Sequence, residues 1–137
     1  MRKGREYGIT VLRVTLGLIF LMHGYLGGFV FTPAGVAAFN ASKGIPLPAI
    51  TAWFVILGHF LGGASLVLGL LTRLGALVHV VIMGGAVLFV HLDQGFFLHG
   101  LEGGRYGGYE YSLVLLMASV TILFLGSGPF ALDASRR

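Results

Sequence analysis

Residues 49–92 read AITAWFVILGHFLGGASLVLGLLTRLGALVHVVIMGGAVLFVHL, and this stretch decides the fold. It contains two apolar runs, residues 49–71 and 74–92, and Arg73 is its one Asp, Glu, Lys or Arg. An α-helix needs roughly 17–25 mostly apolar residues to cross the hydrocarbon core of a bilayer, and each run has that length. We therefore predict two transmembrane helices, joined by a turn so short that they form an antiparallel pair.

Two more apolar runs, residues 9–31 and 109–125, flank this pair, and the charged residues inside them are Arg13 and Glu110. Hydrophobic residues make up 56% of the 137 residues and charged residues 10%. A water-soluble domain this small has too much surface for so few charges. The sequence thus predicts a single domain over residues 1–137, an all-α integral membrane four-helix bundle with the lipid bilayer as its surroundings.

The Lys and Arg residues predict the orientation of the bundle. With four spans, the N-terminus, the turn at Arg73 and the C-terminus lie on one side, and that side carries seven of the nine basic residues: Arg2, Lys3, Arg5, Arg13, Arg73, Arg136 and Arg137. The other side carries Lys43 and Arg105. Because positive residues stay inside, we predict that both termini are cytoplasmic in a multi-pass protein of the plasma (inner) membrane. The basic residues form no single patch, which excludes nucleic acid as a partner.

Glycine is unusually frequent, with 23 residues, and many glycines fall inside the predicted spans. Gly24 and Gly28, and likewise Gly58 and Gly62, are four residues apart on their helices. Small residues at this spacing allow helix backbones to approach closely inside a membrane. The pattern predicts close helix packing, either within one chain or between the subunits of a homo-oligomer.

Ionisable groups inside a span are costly and mark candidate functional sites. We predict that six residues in the outer half of the bundle line one polar cavity that opens away from the cytoplasm: His23, His59, His91, Tyr109, Glu110 and Tyr111. Arg13 and Arg73 lie near helix ends, where their long side chains are expected to reach the inner head groups as cytoplasmic-side anchors. His79 lies in the inner half, and we interpret it as a packed or interfacial residue.

Three readings of this polar cluster remain open. Imidazoles could hydrogen-bond the carbonyls of a quinone, the candidate cofactor, or pass protons. The same residues could instead form only hydrogen bonds between helices. A metal site is the weakest reading because there is no cysteine and no close pair of histidines along a helix. No nucleophile, phosphate-loop or dinucleotide motif is present, so the sequence identifies no catalytic residue.

Several motifs occur in an order that resembles the DoxX family over nearly the whole chain. They are His23-Gly24, Gly44-Ile45-Pro46, Gly58-His59-Phe60-Leu61-Gly62-Gly63, Leu68-Gly69-Leu70-Leu71-Thr72-Arg73, Gly107-Gly108-Tyr109-Glu110-Tyr111 and the closing Gly126-x-Gly128-Pro129 with Leu132-Asp133. The resemblance implies a four-helix membrane protein linked to membrane-associated oxidoreductase systems, with relatives among subunits of thiosulfate:quinone oxidoreductase and among thiol and oxidative-stress defence proteins. Where such relatives commonly carry Glu in the second span, this chain has His59.

Two hypotheses about function follow. In the first, the protein is the membrane subunit of a quinone-linked or thiol- and oxidative-stress-linked oxidoreductase system, with a larger membrane or redox protein complex as its partner. In the second, it is a non-catalytic scaffold or accessory subunit that docks such a complex. The polar cluster separates them, because a ligand site requires His59 and Glu110 to face inward together.

Overall fold

The structure is a computed structural model that describes residues 2–99 and 107–136, and within these ranges it is entirely helical. Its five α-helices are α1 (Arg2–Tyr25), α2 (Thr32–Ser42), α3 (Pro48–Leu68), α4 (Thr72–Gly85) and α5 (Glu110–Leu125). The predicted all-α class is confirmed for these residues. Of the basic residues used to predict the orientation, Arg105 and Arg137 lie outside the described residues, as do the side chains of Arg2 and Arg136.

Two of the long helices do not end as simple α-helices. The π-helical segment Leu26–Val30 continues α1, and the π-helical segment Ala86–His91 continues α4 before a 3-10 turn at Leu92–Gln94. A π turn adds a residue per turn, so the side chains beyond it leave the register of the preceding α-helix, and such turns are frequent at functional sites. The hydrophobic pattern did not predict these changes of helix type.

Three helical stretches are long and apolar enough to cross a membrane by length and composition: Lys3–Val30, Pro48–Leu68 and Thr72–Gln94. The predicted fourth span coincides with α5, which is apolar but has 16 residues. At 1.5 Å per residue α5 is about 24 Å long, somewhat shorter than a hydrocarbon core of about 30 Å. Large apolar side chains such as Phe124 and Phe29, which are 75% and 71% exposed, suit lipid far better than water. The chain is a membrane protein.

Helix α3 lies at the centre of the fold and packs against α1, α2 and α4, while α5 packs mainly against α4. Helices α1 and α3 touch at their backbones, because a Cβ atom on Gly17 would lie 2.8 Å from the carbonyl oxygen of Gly63. A Cβ on Gly58 would lie 2.7 Å from the side chain of Ile82 on α4. The predicted close approach through glycine is therefore made, and for these residues it is made within one chain.

Arg13 corrects one prediction from the sequence. Its side chain does not reach outward to head groups but is fully buried. The guanidinium donates hydrogen bonds to the carbonyl oxygens of Leu66, Val67 (3.0 Å) and Phe130 (3.0 Å). The last carbonyls of a helix have no intrahelical partner, so the end of α3 offers acceptors that hold the charge inside the fold. Arg13 joins α1, the end of α3 and the segment after α5.

The segment after α5 folds back onto the turn between α3 and α4. Asp133 accepts hydrogen bonds from the backbone N–H groups of Leu71 and Thr72, both at 3.1 Å, and thereby caps the N-terminus of α4. Gly69 ends α3 in the left-handed conformation with φ of 67°, which makes the turn as tight as the sequence predicted. Arg73, by contrast, is exposed, as an anchoring side chain would be.

Candidate functional site

Three aromatic rings from three helices form a stack in the middle of the fold. Phe20 of α1 lies almost parallel to His79 of α4, with ring centroids 3.6 Å apart, and to His59 of α3, with centroids 5.3 Å apart. The centroids of His59 and His79 are 5.6 Å apart. Gly62 makes room for this arrangement, because a Cβ there would lie 2.6 Å from Cε1 of His79.

The two stacked histidines each leave one ring nitrogen without a hydrogen bond. His79 is fully buried, and its Nδ1 is 2.8 Å from the carbonyl oxygen of Gly75, while its Nε2 has no partner. His59 is 7% exposed, and its buried Nδ1 also has no partner. Buried polar atoms are nearly always hydrogen-bonded, so each unpaired nitrogen calls for an explanation.

A cavity of about 820 Å³ lies beside this stack, within the range of ligand pockets. All five helices and both π-helical segments contribute to its wall. Most of the wall is apolar, including Phe20, Phe54, Ile82, Phe89 and Leu115. Its polar groups are few: His23, Asn40, Thr51, His59, His91, Tyr111 and Ser112. An apolar cavity with a small number of polar groups is the usual form of a site for an apolar ligand with a polar head.

Four of the six residues that the sequence predicted together line this cavity: His23, His59, His91 and Tyr111. His23 lies next to His59, with ring centroids 5.8 Å apart. The side chains of His23 and His91 are oriented by the backbone, since their Nδ1 atoms lie 2.9 Å from the carbonyl oxygen of Ile19 and 2.6 Å from that of Gly107.

Glu110 and Tyr109 do not line the cavity, which corrects the predicted cluster. Glu110 begins α5, and its carboxylate accepts a hydrogen bond from the backbone N–H of Leu98 at 2.8 Å. The ring of Tyr109 packs edge-on against Phe96 at 5.3 Å. Both side chains thus hold the start of α5 to the preceding loop. Glu110 does not face inward together with His59.

His79 was predicted to be packed, and it is, but the sequence reasoning did not connect it with His59. A signal was available in the short turn between α3 and α4. In a tight antiparallel pair, residues equally distant from the turn are neighbours, and Gly62 and His79 are equally distant from Leu70 and Leu71. One helical turn from Gly62 on α3 is His59, which brings the two histidines together.

The arrangement offers hydrogen bonding to a ligand. Within residues 2–99 and 107–136, no group of three or more His, Cys, Asp or Glu side chains is placed to hold a metal ion. Imidazole side chains can donate, accept and exchange protons near neutral pH. The cavity can therefore bind and orient a polar head group within apolar surroundings.

Comparison with known proteins agrees with this architecture. A family model described as DoxX matches residues 8–92. "Putative oxidoreductase CatD" of Bacillus subtilis (strain 168) is 30% identical over 133 residues, which cover 97% of this chain and 90% of that protein. An "Uncharacterized protein" of Haemophilus influenzae (strain ATCC 51907 / DSM 11121 / KW20 / Rd) is 30% identical over 134 residues, covering 97% and 93%. No solved structure gives a significant match. The resemblance predicted from the motifs is confirmed.

Proposed function

The chain belongs to the DoxX family, and from this premise we propose that it is a small membrane subunit of a quinone-linked or thiol- and oxidative-stress-linked oxidoreductase system. In this proposal the cavity beside Phe20 and His59 binds a lipid-soluble quinone. One relative is named as an oxidoreductase, which supports the redox association. The observation that carries the ligand site is an apolar cavity whose few polar groups include the imidazoles of His23, His59 and His91.

What distinguishes His59 from His79, which also has an unpaired ring nitrogen, is that His59 lines the cavity. Leaving a buried polar atom unpaired costs about 1–3 kcal/mol. A ligand whose polar head contacts the imidazole of His59 would place its apolar remainder in the rest of the cavity.

The wall residues fit a quinone. Rings of Phe20, Phe54 and Phe89 supply flat apolar surface, and the volume suits a ring with part of its tail. When bound, a quinone would supply two-electron redox chemistry to the system, while the chain binds it, orients it and excludes water. His23 and His59 lie close enough together to contact one polar head group.

The proposed topology has four crossings, with α5 as a short fourth span and both termini in the cytoplasm of a plasma-membrane protein. Exposed Lys3 and Arg5 at the start of α1 lie at the same end of the fold as Arg73, because Arg13 joins the first turns of α1 to the end of α3. Exposed Lys and Arg at this end support the positive-inside orientation.

The ligand site is tested by purifying the full chain in mild detergent and extracting bound lipids for mass spectrometry. The wild-type protein is expected to retain quinone, and His59→Leu is expected to lose it while keeping its helical circular dichroism. Trp53→Leu serves as the control, because Trp53 lies on the same helix, is 52% exposed and does not line the cavity.

Equal quinone retention by His59→Leu and wild-type protein would remove His59 from the site. An empty cavity in wild-type protein that copurifies with a stoichiometric partner would support the scaffold hypothesis instead.

A further inference from the structure

We propose that the cavity selects the hydroxyl form of its ligand, a hydroquinone, over the matching carbonyl form, a quinone. This inference rests on the proposed function and adds which redox form of the ligand binds more tightly. It follows from which nitrogen of the wall histidines carries the hydrogen atom. The structure determines this for two of the three histidines that line the cavity.

His23 has a defined tautomer. Its Nδ1 lies 2.9 Å from the carbonyl oxygen of Ile19, one helical turn earlier on α1. A carbonyl oxygen only accepts, so Nδ1 carries the hydrogen atom of this bond. In a neutral imidazole the other nitrogen then has a lone pair and no hydrogen. The Nε2 atom of His23 is therefore a hydrogen-bond acceptor.

His91 has the same tautomer as His23, although it lies on a different element. It ends the π-helical segment after α4, and its Nδ1 lies 2.6 Å from the carbonyl oxygen of Gly107 just before α5. Its Nδ1 carries the hydrogen for the same reason, and its Nε2 is an acceptor. The cavity thus has two acceptor nitrogens whose tautomers are set by backbone carbonyls on separate elements.

The neutral form of these imidazoles follows from their surroundings. None of the described residues that line the cavity is an Asp or Glu. An unpaired charge inside a largely apolar membrane site is costly. A ligand in the cavity therefore encounters His23 and His91 as hydrogen-bond acceptors.

The remaining polar groups of the wall do not reverse this preference. The side-chain amide of Asn40 donates one N–H to Thr51 Oγ1 at 3.2 Å, and its second N–H and its carbonyl oxygen suit either ligand form. The hydroxyls of Tyr111 and Ser112 can both donate and accept, and so they suit either ligand form. His59, with its Nδ1 unpaired, can present either tautomer. A quinone carbonyl offers no hydrogen to the two defined acceptors, whereas a hydroquinone donates one to each that it reaches.

The test is a binding measurement with a matched pair of probes. Decyl-hydroquinone and decyl-quinone share the tail and ring and differ in the two hydroxyl hydrogens. The full chain in lipid nanodiscs is titrated with each probe under anaerobic conditions, and free probe is quantified after equilibrium dialysis. The hydroquinone is expected to bind about tenfold more tightly, the effect of one or two hydrogen bonds gained.

Three variants assign the preference to the histidines. His23→Phe and His91→Phe keep a flat ring and remove the acceptor, and each is expected to bring the ratio of the two dissociation constants down to about threefold or less. Met22→Phe is the control, because Met22 is 60% exposed on α1 and does not line the cavity. It is expected to keep the wild-type ratio.

The outcomes separate this inference from the proposed function. Equal affinity for the two probes, or tighter binding of the quinone, would overturn the inference and leave the proposed function standing. A wild-type ratio in both histidine variants would overturn the assignment to His23 and His91. If neither probe binds, the proposed function fails together with the inference.

Discussion

Replacing Gly62 with alanine tests whether the stack of Phe20, His59 and His79 is packed as tightly as the structure indicates. The new Cβ would lie 2.6 Å from Cε1 of His79, about 1 Å closer than two carbon atoms in favourable contact. His79 cannot retreat, because the ring of Phe20 lies on it at 3.6 Å between centroids. Overpacking of this kind costs about 1–3 kcal/mol. Alanine recovers about 0.5–1 kcal/mol of helix propensity, so the net loss of stability is about 1–2 kcal/mol.

The matched control for this variant is Gly84→Ala. Gly84 lies on α4, and a Cβ there would meet nothing within 4 Å, so this variant is expected to be as stable as the wild type or slightly more stable. Both variants and the wild type are unfolded in mixed micelles by SDS titration and, separately, by heating, with circular dichroism as the readout. We expect Gly62→Ala and Gly84→Ala to differ by about 2 kcal/mol. Equal stability of the two variants would refute the packing described around His79.

Three further predictions concern the ends and crossings of the helices. Arg13→Met leaves buried carbonyls without a donor and is expected to lower the free energy of unfolding by about 2–4 kcal/mol in the same SDS titration. The control Arg73→Met changes an exposed position and is expected to stay within about 0.5 kcal/mol of the wild type. Similar losses in the two variants would contradict the buried role of Arg13. Asp133→Ala removes the cap of α4 and is expected to lower the free energy of unfolding by about 1 kcal/mol, and an unchanged value would show that water replaces the cap. Gly17→Ala places a Cβ against the backbone of α3, which cannot rotate away as a side chain can. Its loss of stability in thermal denaturation is expected to be at least as large as that of Gly62→Ala. A smaller loss of stability would argue against backbone contact between α1 and α3 at Gly17.

The sequence predicted the helices well because length and apolar composition dominate in a membrane. Predicted spans 49–71 and 74–92 correspond to α3 and to α4 with its extension to Gln94. The turn between them is short, as predicted, but it lies at residues 69–71, and Arg73 is already inside α4. The change to π-helix after Tyr25 and Gly85 could not be predicted, because hydrophobic residues continue through both boundaries without any change of pattern. Hydropathy indicates whether a helix is surrounded by lipid or by water, but it does not indicate whether its backbone hydrogen bonds follow the α-helical or the π-helical pattern.

The candidate site was predicted in part. His23, His59, His91 and Tyr111 line one cavity, as their similar depth in the membrane suggested. Glu110 was misplaced because depth says nothing about direction around the helix axis, and its carboxylate is held by the backbone N–H of Leu98. Arg13 was misplaced for a similar reason. Its position near the end of the predicted span is typical of an anchoring residue, but its hydrogen-bond partners are more than fifty positions away in the sequence.

The burial of Arg13 has a consequence for how the protein enters the membrane. Two of its acceptors belong to the end of α3, and the third is the carbonyl oxygen of Phe130, beyond α5. During synthesis α1 meets the bilayer long before any of these acceptors has been made. Until these segments have been made, the guanidinium of Arg13 cannot form the hydrogen bonds that hold it in the folded protein. The guanidinium of Arg13 can therefore reach its final position only after the chain has been made past residue 130.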